Sequence, residues 1–274
     1  MIGLPTFGLA LLLAPAPASP PPAWRELQPG LELGRFVSPR PSDVGDSTVT
    51  VLRIDPAQYE LRLLSAKLLK LEAGLPAPEW AARYGALAVV NASMFREDGL
   101  TSVAHMRSGE AFNNPTWSKD NAVFVAQPRD AGLPGAQILD RACGDVPGLS
   151  ARYGVVIQNI RMLDCAGRNA WAQQPRRWST AALGQDGGGR MLFVHARSPW
   201  STHDLIDVLL ALPLDLKRLM YVEGGPEASL FVKVGGRVEV EAMGSFETGF
   251  FESDTNQRFW PLPNVIAVLP HAAR

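Results

Sequence analysis

The stretch YVEGGPEASLFV, residues 221–232, ends an apolar run on a carboxylate, Glu223, and follows it with two glycines. An acid at a strand end is exposed yet rigidly placed, which suits a catalytic group. Gly224 and Gly225 permit backbone angles closed to other residues and let a ligand approach. The same arrangement recurs elsewhere. ALAVV ends at Asn91, with Ser93 two residues on, and RRWSTAALG sets Arg177, Ser179 and Thr180 just before a strand. Ser229 opens the run after the glycines. His105, in SVAHMRSG, titrates near neutral pH and can act as a general acid or base.

Other chemistries find no support. There is no G-x-S-x-G elbow, no Walker loop and no G-x-G-x-x-G after a strand. The glycines of GQDGGGR join two strands and read as a hairpin tip rather than a phosphate cradle. His195, His203, Asp204 and Asp207 lie close together, but His203 and Asp207 fall at the start of a helix, where polar residues are ordinary, so no metal is expected there. With two cysteines, a Cys-rich metal centre is excluded. No cofactor is required by this reading; a bound divalent cation is left open.

The elements that must carry these residues are mostly strands. STVTVLRID and YELRLLSA read as a strand and its return across Asp55-Pro56. PEWAARYG reads as a helix opened by Pro78 and stopped at Gly85. ALAVV is short and continuously apolar, as a strand buried on both faces would be. NAVFVAQP, GVVIQNIRML, the hairpin WSTAALGQDGGGRMLFVHAR, RLMYV, the hairpin ASLFVKVGGRVEV and the closing NVIAVLP supply further strands. A second helix starts at Ser201, with Asp204 completing a capping-box pattern, and ends at Pro213. The fold class is α+β: one domain over residues 27–270, of mixed or antiparallel sheets with a few helices.

Composition agrees with that. The chain has 274 residues, 46% hydrophobic and 19% charged, ample for a packed core. A net charge of -1, with no basic stretch free of acids, argues against a nucleic-acid partner. Residues 1–18 read as a signal peptide, with Ala16-Pro17-Ala18 at its cleavage site, and 19–26 as a Pro-rich leader. The apolar run is too short to span a bilayer, so the mature chain is expected to have no integral membrane span and to be periplasmic or secreted. In that setting Cys143 and Cys165 are expected to form a disulfide.

AVVNASMFREDGLTSVAHM resembles the N-G-G-[MF]-F segment of the phosphodiester glycosidase family, that of the lysosomal uncovering enzyme, an N-acetylglucosamine-1-phosphodiester alpha-N-acetylglucosaminidase. RRWSTAALGQDGGGRMLFV resembles its R-[TN]-A-[VI]-G segment, and YVEGGPEASLFV its L-D-G-G-x-S segment after a helix. PNVIAVLP is similar to its closing strand. The likeness runs in order from Leu27 to Pro270. Three positions depart from it. Asn91-Ala92-Ser93 stands for N-G-G, Glu223-Gly224-Gly225 for D-G-G, and Pro226-Glu227 for small residues.

The resemblance implies hydrolysis of a sugar-1-phosphodiester to free sugar and phosphomonoester. An oxocarbenium-like transition state needs a carboxylate, for which Glu223 is the candidate. The phosphodiester needs a cation: Arg177 first, then Arg161 and Arg107. Asn91 and His105 complete the catalytic set, and Ser93, Ser179, Thr180, Gly224, Gly225 and Ser229 the substrate-binding set. Asp98 and Asp120 stand as alternatives for a second carboxylate. The expected partner is a small or polymeric glycan phosphodiester. A non-catalytic envelope module binding glycan or phosphate, and an enzyme of another envelope polysaccharide linkage, are the competing functions.

Overall fold

The computed structural model describes residues 24–247 and 254–271; the expected signal peptide and residues 19–23 of the leader lie outside them. In chain order the strands are β1 (Trp24–Gln28), β2 (Leu31–Val37), β3 (Thr48–Ile54), β4 (Tyr59–Ser65), β5 (Ala88–Asn91), β6 (Met106–Ser108), β7 (Ala111–Asn114), β8 (Ala122–Pro128) and β9 (Ala136–Asp140). They continue with β10 (Tyr153–Arg161), β11 (Trp178–Asp186), β12 (Met191–Trp200), β13 (Leu216–Gly224), β14 (Ser229–Val234), β15 (Arg237–Met243) and β16 (Asn264–Pro270). The helices are α1 (Ala77–Tyr84), α2 (Val146–Ser150) and α3 (Thr202–Ala211). β1 takes in Trp24, Arg25 and Glu26, which the sequence places in the leader, and pairs them with β2.

Among the described residues these strands make two sheets. The larger runs β1-β2-β3-β12-β11-β13-β10-β6-β7, with β8 also on β10 and β9 beyond it. The smaller runs β15-β14-β5-β16-β4. The pairings are antiparallel throughout. The sheets face each other across a shared core to which Leu52, Ile54, Leu183 and Phe193 contribute from one side and Leu61, Val90, Leu230 and Ile266 from the other. Burying each such side chain contributes about 1.5–3 kcal/mol. The outer face of the larger sheet is covered by α3 through Leu205, Ile206 and Leu209. The outer face of the smaller one is covered by α1 through Ala77, Trp80 and Ala81. This layering explains why ALAVV is apolar throughout: Val90 points into the shared core and Val89 toward α1.

Local signals act as their chemistry dictates. Gly85 takes the left-handed conformation (φ 66°) that ends α1. The Ser201 hydroxyl accepts from the Asp204 amide at 3.0 Å and caps α3. At the GQDGGGR tip, Asp186 accepts from the Gly188 and Arg190 amides, which fixes the hairpin. One expected pairing is not made. β4 does not return along β3: β3 pairs with β2 and β12, and β4 with β16. The Asp55-Pro56 turn crosses between sheets, because each sheet must present an apolar face to the other.

Candidate functional site: the crossing from one sheet to the other

The chain crosses from the larger to the smaller sheet a second time at Glu223–Ala228, having returned to the larger one between β5 and β6. β13 belongs to the larger sheet and β14 to the smaller, so a few residues carry the main chain across the layer gap. Gly225 makes the bend with φ +67° and opens a short 3-10 turn, Gly225–Glu227. Gly224 is extended, with φ −135°, so its lack of a side chain has a different cause. A Cβ there would lie 2.7 Å from Cδ1 of Trp178 and closer still to the hydroxyl of Tyr221. The close approach that Gly224 allows is therefore to two side chains of the protein.

Three neighbours fix the turn. Asn91, at the end of β5, donates from Nδ2 to the Glu227 carbonyl at 3.0 Å and accepts the Ser229 amide on Oδ1 at 2.7 Å. Its amide acts as a clamp on the backbone. His195 of β12 is buried, with Nε2 3.2 Å from the Ala228 carbonyl; a carbonyl only accepts, so Nε2 carries the hydrogen. Burial lowers the pKa of His195 to about 4, which keeps the ring neutral. The Gly244 amide donates to the same carbonyl at 2.6 Å. In register, Ala181 of β11 stands between His195 and Glu223, and Thr180 opposite Gly224.

The held carboxylate is unusual. Glu223 is only 9% exposed and accepts one bond, at 3.0 Å, from the Gly224 amide. Burial raises its pKa from 4.5 to about 8; the Gly224 bond opposes this, and the nearby Glu227 and Glu247 reinforce it. The group is therefore a carboxylic acid at neutral pH. The position of the absent Gly225 Cβ lies 2.9 Å from Oε2 of Glu247 and 3.7 Å from Oε2 of Glu227. Those two carboxylate oxygens thus both lie against Gly225, within about 7 Å of one another. The Tyr221 phenol is raised well above its ordinary value, by burial and then by the three acids, and stays neutral.

Of the residues expected from sequence, Glu223, Gly224, Gly225, Asn91, Thr180 and Ser229 meet here. Ser229 donates to the Glu227 carbonyl at 2.9 Å. Ser179 is fully buried: its hydroxyl donates to the Arg197 carbonyl and accepts the Ser245 amide, which ties β11 to the segment that carries Glu247. Arg177 lies on the exposed rim, paired with Asp43. Ser93 bonds the Met94 carbonyl and the Ser102 hydroxyl, each at 2.9 Å.

Five expected residues stand elsewhere: His105 of the catalytic set, and the alternatives Arg107, Arg161, Asp98 and Asp120. His105 lines a different cleft, stacked on Trp117. Arg107 spends its guanidinium on four backbone carbonyls, and Arg161 lies 3.5 Å from Asp140. Asp98 caps the 98–101 turn, and hydrogen bonds from Thr101 and Leu100 lower its pKa to about 2. Asp120 accepts the Ser118 hydroxyl at 2.6 Å.

Sequence reasoning missed Glu227 and Glu247 as site residues. Glu227 was visible in EGGPE. Glu247 carries no local signal, since it is brought here by contacts distant in the chain, its antiparallel bridge to Trp178 among them. Cys143 and Cys165 form the expected disulfide, with Cα atoms 5.7 Å apart. Asp140 lies beside them, but a disulfide has no thiolate to offer a metal.

The sequence model of the phosphodiester glycosidase family matches residues 84–269, more than half of the chain. The chain belongs to the phosphodiester glycosidase family. No curated protein matches its sequence. Among solved structures, the zebrafish N-acetylglucosamine-1-phosphodiester alpha-N-acetylglucosaminidase catalytic domain, auto-inhibited by its pro-peptide, superimposes with a TM-score of 0.62 at 12% identity. That match covers 89% of this chain and 85% of the other. A hypothetical protein from Synechocystis superimposes with a TM-score of 0.59 at 14% identity. There 93% of this chain is covered but only 64% of the other, so this chain spans less than two thirds of that protein's length. At such identities the likeness is one of fold. The part matched to the phosphodiester glycosidases contains Asn91, the β11 strand and the whole crossing turn.

Proposed function

We propose that this phosphodiester glycosidase hydrolyses a sugar-1-phosphodiester to free sugar and a phosphomonoester, with Glu223 as proton donor. The observation that carries this is a carboxylic acid kept protonated at neutral pH beside two further carboxylates, at a rigid turn between sheets. Acid and base roles fall to groups whose surroundings push their proton affinities apart. Glu223 gives its proton to the bridging phosphate oxygen as the bond from that oxygen to the anomeric carbon breaks. Water adds to the anomeric carbon and yields its proton to the Glu227–Glu247 pair, whose negative charge also stabilises the oxocarbenium-like transition state. A phosphomonoester leaves readily, so a weak acid suffices.

Arg177 is assigned to the phosphate. It is the guanidinium on the exposed rim next to Trp178, where it pairs with the Asp43 carboxylate. The Thr180 hydroxyl, whose contact with the Trp178 carbonyl is long at 3.5 Å, is assigned to the sugar. Asn91, Ser229 and Ser179 act as positioning residues through the backbone they hold. The protein is proposed to work outside the cytoplasm, a setting in which a disulfide persists. Among the described residues no helix is long and apolar enough to cross a membrane. The test is release of free sugar from a panel of sugar-1-phosphodiesters. Turnover is expected to vanish in Glu223→Gln with substrate binding retained; full turnover in that variant would overturn the assignment.

A further inference from the structure

A second cleft, of about 430 Å3, opens beyond β6 and β7, lined by residues other than those of the crossing. Its wall is aromatic. The ring of Trp117 lies flat on His105, with centroids 4.1 Å apart and planes 4° from parallel, and Phe112 meets His105 edge-on at 5.8 Å. Phe112 is 47% exposed and Trp117 39%, although both are large and apolar. His105, by contrast, is buried, and its Nδ1 sits 3.1 Å from the Pro115 carbonyl. That carbonyl only accepts, so Nδ1 carries the hydrogen and Nε2 keeps its lone pair for a hydroxyl donor. Burial, with a smaller contribution from Arg107, lowers the pKa of His105 and keeps the ring neutral.

The cleft is also positive. Arg107 and Arg141 both line it, and none of its described lining residues is acidic. Both guanidiniums are held by backbone: Arg107 by the Gly109, Ser150, Tyr153 and Gly154 carbonyls, Arg141 by the Ser118 and Asp120 carbonyls. Carbonyls fix the side chains without neutralising them, so two full charges remain. Arg141 also lies over the Trp117 ring at 5.6 Å, which supports the exposed indole from behind. The exposed Phe112 ring takes the apolar side of a sugar ring, a fixed acceptor takes a hydroxyl, and the Nε and Nη2 groups of Arg141, with the charge of Arg107 beside them, take an anionic substituent.

We propose that this cleft is a binding subsite for an anionic saccharide, a pyranose bearing a carboxylate or phosphate, whose ring packs on the exposed Phe112 ring and against the edge of Trp117. It is independent of hydrolysis at Glu223. The test follows tryptophan fluorescence while the full-length protein is titrated with a galacturonic acid trisaccharide, with glucose phosphate and with neutral maltotriose. Saturable binding is expected for at least one anionic sugar and at least tenfold weaker binding of maltotriose. Which anionic sugar binds tells carboxylate from phosphate. Phe112→Ala, at an exposed position that should leave folding intact, and Trp117→Ala, followed by calorimetry, should each weaken binding at least tenfold, while Arg177→Ala leaves it unchanged. No saturable binding of either anionic sugar, equal binding of maltotriose, or undiminished affinity in a folded Phe112→Ala protein would each overturn the proposal. Loss of binding in Arg177→Ala, the cation assigned to the crossing, would place the ligand there and overturn it too.

Discussion

Replacing Glu223 by Gln should make the protein more stable at high pH and leave its stability in acid unchanged. Burial holds the Glu223 proton to about pH 8, against an ordinary value of 4.5. Between those values the folded chain keeps a proton that the unfolded chain has released. The folded state therefore binds more protons, and its stability falls as pH rises through the window. A tenfold change in proton affinity is worth about 1.4 kcal/mol, so three and a half decades amount to about 5 kcal/mol. Water entry and the Gly224 hydrogen bond reduce the realised cost, so about 2–5 kcal/mol is expected. Gln keeps the shape of the acid and never ionises, so it escapes the penalty. Urea unfolding of both proteins at a series of pH values from about 4 to 9 isolates the effect, because every other group titrates in both. The stability difference should be near zero at the acid end and grow to about 2–5 kcal/mol at the alkaline end. A difference that is flat with pH would refute protonation by burial. A difference favouring Glu223 at high pH would mean an ionised, stabilised carboxylate and would remove the proton donor as well.

If Glu223 is the acid, kcat should hold through neutral pH and fall above about 8; a rate that rises through pH 8 would make it a base instead. Gly224→Ala forces a methyl group onto Tyr221 and Trp178 and should cost about 1–3 kcal/mol; adding Tyr221→Phe should recover part of it in thermal melts. Asn91→Ala strands the Ser229 amide and leaves the Glu227 carbonyl with the Ser229 hydroxyl alone, so denaturant midpoints should show a loss of about 1–3 kcal/mol, with kcat reduced because the turn is freed. Removing the disulfide opens a loop with a sequence separation of 22 and should cost about 3 kcal/mol, with kcat unchanged in the folded protein.

Much of this was legible in the sequence because its causes are local. The Ser201 cap, the Gly85 stop, the GQDGGGR tip and the alternation of TVTVLRI each depend on residues a few positions apart. The acid-glycine-glycine stretch announced the crossing turn. The role of Gly224 was not legible, because Trp178, which it clears, lies 46 positions away in the chain. The same holds for Asn91. A polar residue ending a buried strand suggested a ligand contact, but its two partners are backbone atoms at 227 and 229. His105 was placed with Glu223 on chemical type alone, and only the pairing of β6 and β10 shows that it faces another cleft. The return of β4 along β3 failed for the same reason: which of two sheets a strand joins is decided across the core, not at the turn.

The smaller sheet has an order of assembly written into it. β16 lies between β4 and β5, pairing with β4 over Tyr59–Ser65 and with β5 over Ala88–Asn91. As the chain is synthesised, those two early strands wait for a partner made about 170 residues later, and contacts that distant form slowly. Until Asn264–Pro270 arrive, β4 and β5 present unpaired edges that invite association with other chains. A chain stopped before Asn264 should therefore leave β4 unprotected in hydrogen exchange and β5 protected only along its β14 edge, and should aggregate. Native-like protection of those strands without β16 would show that the sheet closes by another route.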